Sequence, residues 1–330
     1  SVQVAVMDSA GRELGNHRCP NSVTQVIHTI ERYGGSASLA IESCGGAAEF
    51  AEALMRRTGW VVNLAHPGFV RRMKQNPDKS DYTDSLMLAD LERVGYLPRV
   101  WLAPEPIRQL RALLNYRQQQ VNQIRAAKLR IRAVLRERRL TCPTDHRPWR
   151  VGWVAWLRQT EALDEHTRWI LDRHLHRIED LEREKRAVEQ RLERVTRDDP
   201  VVQRLRRMAG IGPVTAWSLR AVVGRFDRFR TGKQLARYCG LSPRNASSGE
   251  RRADAGTIKA GNPMLRGVLA EAAHRLMRFD PRWRSLAGRM RRGGKPTNVI
   301  VMAVANRWLR WLYHQMPAGL GPVGEVPAVA

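Results

Sequence analysis

A chain of 330 residues has room for about two or three domains and for cores that need no disulfides. Its 57 Lys and Arg against 32 Asp and Glu leave a formal net charge of +25, and self-repulsion on that scale opposes compaction unless a polyanion, most commonly nucleic acid, neutralises it. Four scattered cysteines (Cys19, Cys44, Cys142 and Cys239) argue against a disulfide framework or a zinc finger, and no apolar run is long enough for a membrane span or a signal-peptide core, so a reducing cytoplasm fits.

Val2–Met7 alternates along its length and runs into Asp8-Ser9-Ala10-Gly11, a strand ending in a turn. Over residues 22–33, Val23, Val26, Ile27 and Ile30 fall at helical spacing. Ser38–Glu42 is a short apolar strand closing on a carboxylate, and Ser43-Cys44-Gly45-Gly46 opens a helix carrying Phe50 and Leu54. Trp60–Leu64 is another strand, closed by His66-Pro67-Gly68. This alternation predicts an α/β domain over roughly the first hundred residues.

The period changes at Pro104. Ile107, Leu110, Leu114, Val121, Ile124, Ile131 and Leu135 follow a seven-residue repeat, interrupted by Arg117 and Lys128, in one long helix that ends before Cys142-Pro143. Trp149, Trp153 and Trp156 mark a connector packed on a core. A second long helix, from about Leu163 to Val195, carries Ile178, Leu181, Val188 and Leu192 on its seam, a coiled-coil-like pattern. Its partner is either the first long helix, in a hairpin, or a helix of another subunit. His174 and His176, two apart, point to different helix faces and read as surface residues. Arg197-Asp198-Asp199-Pro200 breaks the second helix at a domain boundary, and further helices fall near 214–223, 231–238, 262–278 and 297–314.

Three groupings carry chemistry. Glu42 closes a strand, while Asp81 and Asp84, three apart at a helix start, project from one face. Nucleases hold Mg2+ with hard carboxylates so placed, leaving coordination sites for phosphate oxygens. Structural roles, as N-cap and first-turn acid, account for Asp81 and Asp84 at least as well. The turn Gly210-Ile211-Gly212-Pro213 enters a helix whose N-terminus suits a phosphate, and a plain turn between packed helices explains the same residues. The third grouping is the polar loop beginning at Gly240. There Ser247 and Ser248 stand beside Gly249 among Arg244, Arg251 and Arg252, a place where a phosphate could be held and attacked. Taken alone, Ser-Ser-Gly is more often an inert turn. The loop continues through Lys259 to a helix start carrying Arg266, and Arg289, Arg291, Arg292 and Lys295 precede the terminal helix. These cations suit a phosphate path whose affinity falls as salt rises. Trp308, Trp311 and Tyr313 read as core rather than as base-stacking platforms.

In order, these segments resemble the transposases of the insertion sequence 110 family (the 116/110/902 group) over nearly the whole chain. The resemblance rests on the strand ending in Glu42, Lys79-Ser80-Asp81 with Asp84, the coiled coil, and Met208-Ala209-Gly210-Ile211-Gly212-Pro213. It continues through Gly240-Leu241-Ser242-Pro243, Ser247-Ser248-Gly249, Ile258-Lys259-Ala260-Gly261-Asn262 with Leu265-Arg266, and Gly294-Lys295-Pro296.

That family implies an α/β RNase H-like (RuvC-like) N-terminal domain, central long helices or coiled coil, and a mainly α-helical C-terminal domain. The corresponding segments are residues 1–145 (with the long helix at 105–140), 146–200 and 201–316, followed by a disordered tail over 317–330. Glu42, Asp81 and Asp84 would be three of the four metal-binding acids, and Ser248 the nucleophile, with Ser247 the open alternative. The family's remaining acid sits on its first strand, in a Gly-Ile-Asp-Val-like segment upstream of anything in this sequence. Asp8 ends what matches the second strand and does not take that role, so either the first strand is trimmed or the metal site is short of one acid.

The implied reaction is Mg2+-assisted cutting and rejoining of donor and target DNA through a phosphoserine link, directed by a structured RNA that pairs with both. Gly210, Gly212, Arg244, Arg251, Arg252, Lys259, Arg266, Arg292 and Lys295 are the candidate nucleic-acid contacts. With acids and serine on separate domains the expected site is composite, and self-association into a dimer or tetramer through the coiled coil is expected. Two rivals remain: a metal-only junction nuclease in which the serine loop grips phosphate, and an inactive nucleic-acid-binding relative.

Overall fold

The computed structural model describes residues 1–34, 37–74, 80–143, 146–245, 254–258, 261–317 and 319. The chain divides into two compact units, Ser1–Pro104 and Glu105–Ala330.

In the first unit, β1 (Val2–Met7) and β2 (Glu13–Cys19) form an antiparallel hairpin with Val2 opposite Cys19. The turn between them is tied by Asp8 Oδ1, which accepts from Ala10 N (3.0 Å) and Arg12 N (2.8 Å). After α1 (Val23–Glu31), the strands β3 (Ser38–Glu42) and β4 (Val61–Ala65) run parallel, joined by α2 (Ala47–Thr58), with Glu42 opposite Ala65. A parallel pair needs such a crossover helix. Then come α3 (Pro67–Met73), α4 (Asp81–Arg93) and β5 (Arg99–Val100), the last antiparallel on β4. Val26, Ile30, Ala51, Leu54, Val62 and Leu64 make the main core of this unit, and Ala65, Val70 and Leu97 a smaller one beneath α4. Sequence periodicity missed β2, since Gly15, Asn16 and the charged residues of Glu13–Cys19 dilute its alternation; pairing with β1 makes it a strand.

The second unit begins with α5 (Glu105–Glu137), followed by α6 (Val151–Gln159) and α7 (Glu165–Thr196). α5 and α7 pair with each other, antiparallel. Going up α5, Arg117 meets Glu189 (2.8 Å), Gln123 meets Arg177 (3.4 Å) and Arg138 meets Asp164 (2.8 Å). Of the two partners open from sequence, the structure therefore has the hairpin within the chain. Arg117 crosses the seam to an acid, and Lys128 stacks over Trp149, 5.3 Å from its ring centre. Val121 and Ile178 are only partly buried, whereas Gln120 and Ala127 take buried positions on α5. Trp153 packs with Leu157, Ile131, Leu135 and Leu171 at one end of the hairpin, so the tryptophan connector does pack on a core.

At the other end, Leu110, Leu114, Val188 and Leu192 join the large core of α8 (Pro200–Arg206), α9 (Pro213–Val223), α10 (Gly232–Tyr238), α11 (Pro263–Phe279), α12 (Pro281–Arg292) and α13 (Thr297–Gln315). Two short strands, β6 (Pro243–Asn245) and β7 (Asp254–Thr257), lie between α10 and α11. α9 is the central helix, buried continuously from Thr215 to Val223. Its Arg220, 1% exposed, is tolerated because Asp199 Oδ2 accepts from Nε (2.7 Å) and Gly224 O accepts from Nη1 (2.7 Å). An unpaired charge there would cost about 3–5 kcal/mol. α8, α9, α11 and α12 all start with proline at the first helical position. Asp280 caps α12 by accepting from Arg282 N (2.9 Å), and Arg289, Arg291 and Arg292 of the basic cluster before the terminal helix form the last turn of this separate helix, with Lys295 beyond it. Among the described residues no helix is long and apolar enough to cross a membrane.

Candidate active site and nucleic-acid interface

Glu42 ends β3 exposed, and just beyond it Ser43 N donates to Ala65 O (2.9 Å). α4 starts on Ser80, whose Oγ accepts a long bond from Thr83 N (3.5 Å). Ser80, rather than Asp81, is the cap, leaving the exposed Asp81 carboxylate free of that structural duty. Asp84 is half-buried and gripped by Lys74, whose Nζ lies 2.5 Å from Oδ1 and 2.6 Å from Oδ2.

Sequence reasoning missed a residue that anchors the end of this helix. Glu92 Oε1, in the last turn of α4, accepts from Ser38 Oγ (2.7 Å), Asn63 Nδ2 (2.7 Å) and Arg99 Nη2 (3.3 Å), and the Glu92 side chain is only 7% exposed. The end of α4 is thereby held beside the start of β3. From Ser38 to Glu42 the strand rises about 13 Å, and from Glu92 back to Asp84 the helix covers about 12 Å. Glu42 and Asp84 thus fall toward the same end of the β3–α4 layer. In kind, the donors fit a hard divalent cation: all are carboxylate oxygens, and one already holds a cation, the Lys74 ammonium. They are not assembled into a cage, since among the described residues no three His, Cys, Asp or Glu side chains are grouped to hold a metal.

In the second unit, β6 and β7 pair antiparallel, Pro243 opposite Thr257 and Asn245 opposite Asp254. They flank residues 246–253, which include Ser247, Ser248, Arg251 and Arg252; these four and Lys259 lie outside the described residues. Both roots of the hairpin are anchored. On the way in, Leu241 is 1% exposed, its N donates to Ala236 O (2.9 Å) and its O accepts from Asn306 Nδ2 (3.2 Å). On the way out, Ile258 N donates to Ser242 O (2.9 Å), and Arg266 Nη1 donates to Ile258 O (3.2 Å). Gly261 follows at φ +107, where a Cβ would lie 2.7 Å from Tyr238 O, so only glycine lets the chain pass this close to the end of α10. Asn262 then caps α11, accepting from Leu265 N (3.1 Å).

The other predicted contacts have mixed surroundings. Gly210 has φ +83, and a Cβ there would sit 2.6 Å from Leu276 Cδ2, a packing reason for glycine. Gly212 caps α9 at φ −86, and among the described residues nothing lies nearer its hypothetical Cβ than Arg275 Nη1 at 3.6 Å. Arg244, Arg292 and Lys295 are exposed, while Arg266 is half-buried on its hairpin contact. Trp308 is fully buried, as expected of a core residue, and Tyr313 OH donates to Phe229 O (2.7 Å). Trp311, only half-buried, borders an open groove.

Comparison with known proteins places the chain among the transposases. A model of the IS110 DEDD type, described as Transposase, matches residues 1–139, and one described as Transposase IS116/IS110/IS902 family matches residues 202–287. The chain is 28% identical over 286 residues to a probable family 20 transposase of Pseudomonas aeruginosa, covering 83% of this chain and 82% of that protein. It is 27% identical over 290 residues to the transposase for insertion sequence element IS1328 of Yersinia enterocolitica, covering 82% and 81% of the two chains. Over 128 residues it is 32% identical to the transposase for insertion sequence element IS1111A of Coxiella burnetii, covering 37% of this chain and 35% of that one. The chain belongs to the IS116/IS110/IS902 family of transposases.

Proposed function

We propose that this transposase cuts and rejoins donor and target DNA through a phosphoserine intermediate at Ser248, with Mg2+ and a structured guide RNA. Ser248 Oγ attacks a phosphodiester phosphorus. The P–Oγ bond forms, the P–O3′ bond breaks, and the departing 3′-oxygen takes up a proton as the serine gives one up. A 3′-hydroxyl from another strand then attacks the phosphoserine, the new P–O3′ bond forms, the P–Oγ bond breaks, and Ser248 regains its proton. Each step exchanges one phosphoester for another, so no ATP is consumed.

A serine hydroxyl at its ordinary pKa is a weak nucleophile and needs activation. Glu42, Asp81 and Asp84 would hold the divalent ion, which supplies charge neutralisation at the phosphate oxygens. In this reading the α/β unit, with its parallel β3–α2–β4 crossover, belongs to a RuvC-like RNase H domain over residues 1–145, residues 146–200 are the connector and coiled coil, and residues 201–316 form the serine domain. Gly210, Gly212, Arg244, Arg251, Arg252, Lys259, Arg266, Arg292 and Lys295 contact nucleic-acid phosphates. Copies of the chain associate on bacterial DNA in the cytoplasm.

The observation that carries this reading is the β6–β7 hairpin: anchored at both roots, it flanks the Ser247-Ser248 segment of a chain in which both family models match in order. Ser248→Ala tests it. The variant is expected to lose both the covalent protein–DNA adduct, seen as a band stable to denaturant, and strand transfer, while Ser247→Ala keeps them. Undiminished cutting by Ser248→Ala would make this a metal-only nuclease, and loss of the adduct in Ser247→Ala alone would move the nucleophile by one residue.

A further inference from the structure

An open groove of about 890 Å3 lies between α12 and α13. Its walls follow from helical spacing. Arg307, Arg310, Trp311 and His314 stand at i, i+3, i+4 and i+7 on α13, and Arg282, Leu286 and Arg289 at i, i+4 and i+7 on α12, so one stripe of each helix faces the groove. The neighbouring stripe of α13, with Val304, Trp308 and Leu312, is buried in the core, which holds the groove-facing stripe in place. Lys295, beyond the end of α12, also lines it.

Two features say what the groove takes. First, among the described residues it is lined by cations without a single Asp or Glu, and from Pro281 to Pro317 the sequence contains neither. Five cations around one hollow repel each other, and a chain of phosphates relieves that repulsion. Second, the groove has an aromatic wall. Trp311 is half-buried, and the Arg282 guanidinium lies over it, 5.7 Å from the ring centre, and over the buried Trp283 at 4.8 Å. A planar guanidinium rests over that ring, which shows that the ring takes a planar partner, and a base stacked there would take the place of Arg282. Phosphates of a paired duplex gain nothing from an indole inside a groove, whereas an unstacked base does.

We propose that the α12–α13 groove binds an unpaired stretch of nucleic acid, with a base stacked at Trp311 and flanking phosphates on Arg289, Lys295, Arg307 and Arg310. This rests on the nucleic-acid reading above and adds a site and a strand state to it. An unpaired stretch could belong to DNA opened during cutting or to a guide RNA, which share the chemistry of base and phosphodiester.

The test is binding by the full chain to short labelled oligothymidylate and oligouridylate, a blunt duplex of the same length, and oligoglutamate, over a range of salt. Trp311→Leu is expected to weaken single-strand binding roughly tenfold while leaving duplex binding unchanged. The exposed pair Arg289→Gln with Arg307→Gln, which does not disturb the core, is expected to lower the slope of log affinity against log salt by roughly 0.7 for each phosphate no longer neutralised. Whichever of the DNA and RNA oligomers shows these losses identifies the source, and both doing so supports the shared chemistry. Single strands that bind both variants as they bind the wild type, while duplex binding stands, overturn this inference alone. Oligoglutamate binding as tightly and with the same dependence on Trp311 also overturns it. A wild-type chain that binds neither duplex nor single strands sinks the proposed function along with it.

Discussion

Ser38, the first residue of β3, donates its hydroxyl hydrogen to Glu92 in the last turn of α4, at 2.7 Å, and Asn63 and Arg99 donate to the same carboxylate oxygen. One acid thus ties three strands to a helix. It does so at the end of the layer opposite Glu42 and Asp84, where it anchors the last turn of α4. Glu92→Ala would remove the acceptor shared by Ser38, Asn63 and Arg99; with Ser38 and Arg99 open to water and Asn63 half-buried, the expected cost is about 1 kcal/mol. The variant is expected to melt at a lower temperature and to expose the first unit to limited proteolysis before the second. An unchanged melting temperature and digestion pattern would remove Glu92 from the frame of the site.

Lys74 competes with any metal for Asp84. The two side chains are 24% and 27% exposed, so water still reaches the pair and its strength is modest, but the ammonium occupies both carboxylate oxygens. Lys74→Met is expected to tighten binding of Mn2+, used as a spectroscopic substitute for Mg2+, by roughly two- to fivefold, the size of a surface ion pair released. Electron paramagnetic resonance titration reads free Mn2+ directly and needs no catalysis. Equal or weaker Mn2+ binding in the variant would mean that Asp84 is not a ligand.

Gly210 and Gly212 look alike in sequence and differ in structure. Gly210→Ala places a Cβ at positive φ and against Leu276, with an expected loss of about 1–3 kcal/mol in urea unfolding. Gly212→Ala meets no such obstacle among the described residues but puts alanine, a poor N-cap, at the start of α9, and is expected to cost less, about 0.5–1 kcal/mol. If Gly212→Ala also weakens DNA binding, the start of α9 contacts phosphate; if DNA binding is unchanged, Gly212 is a cap alone.

Acid should loosen the start of α7. Asp164 Oδ1 accepts from Thr167 N (2.9 Å) and Oδ2 from Thr167 Oγ1 (2.7 Å), and these bonds, with Arg138 nearby, hold its carboxyl below the ordinary value of 3.8. The folded chain therefore binds fewer protons here than the unfolded chain, and the cap's contribution is complete above about pH 4 and lost as pH falls through the lowered value. Melting curves of the wild type and Asp164→Asn should differ most near neutrality and converge in that acid range. A constant gap down to about pH 2 would show that the carboxylate charge contributes nothing to the cap.

Much of this was legible in the residues. The strand closing on Glu42, the apolar seams of the long helices and the break at Asp199-Pro200 depend on spacing along one element, and spacing is local. α12 was hidden because its many arginines mask the turn-by-turn recurrence of Trp283, Leu286, Ala287 and Met290, although Asp280-Pro281 marks its start. A seven-residue repeat says that a helix has a partner and is silent on which one, so the antiparallel meeting of Arg117 with Glu189 could not be foreseen. Nor could the bond from Ser38 to Glu92 or the grip of Lys74 on Asp84, which join residues on different elements. Trp311 shares its helix with Trp308, yet one residue is core and the other lines a groove.

By itself, the sequence determined that the chain is strongly basic, that strand–helix alternation gives way to long apolar-seamed helices at Pro104, and that a family's ordered motifs run through it. Charge, periodicity and the backbone limits of proline and glycine act at or near each residue, so they are written in order along the chain. Only the tertiary structure decided that α5 pairs with α7, that Glu92 anchors the end of α4 beside the start of β3, that the β6–β7 hairpin is pinned at both roots, and that cations of two helices line one groove. Those outcomes depend on which buried surfaces and hydrogen-bonding groups find each other across tens of residues, and no local pattern specifies the partner.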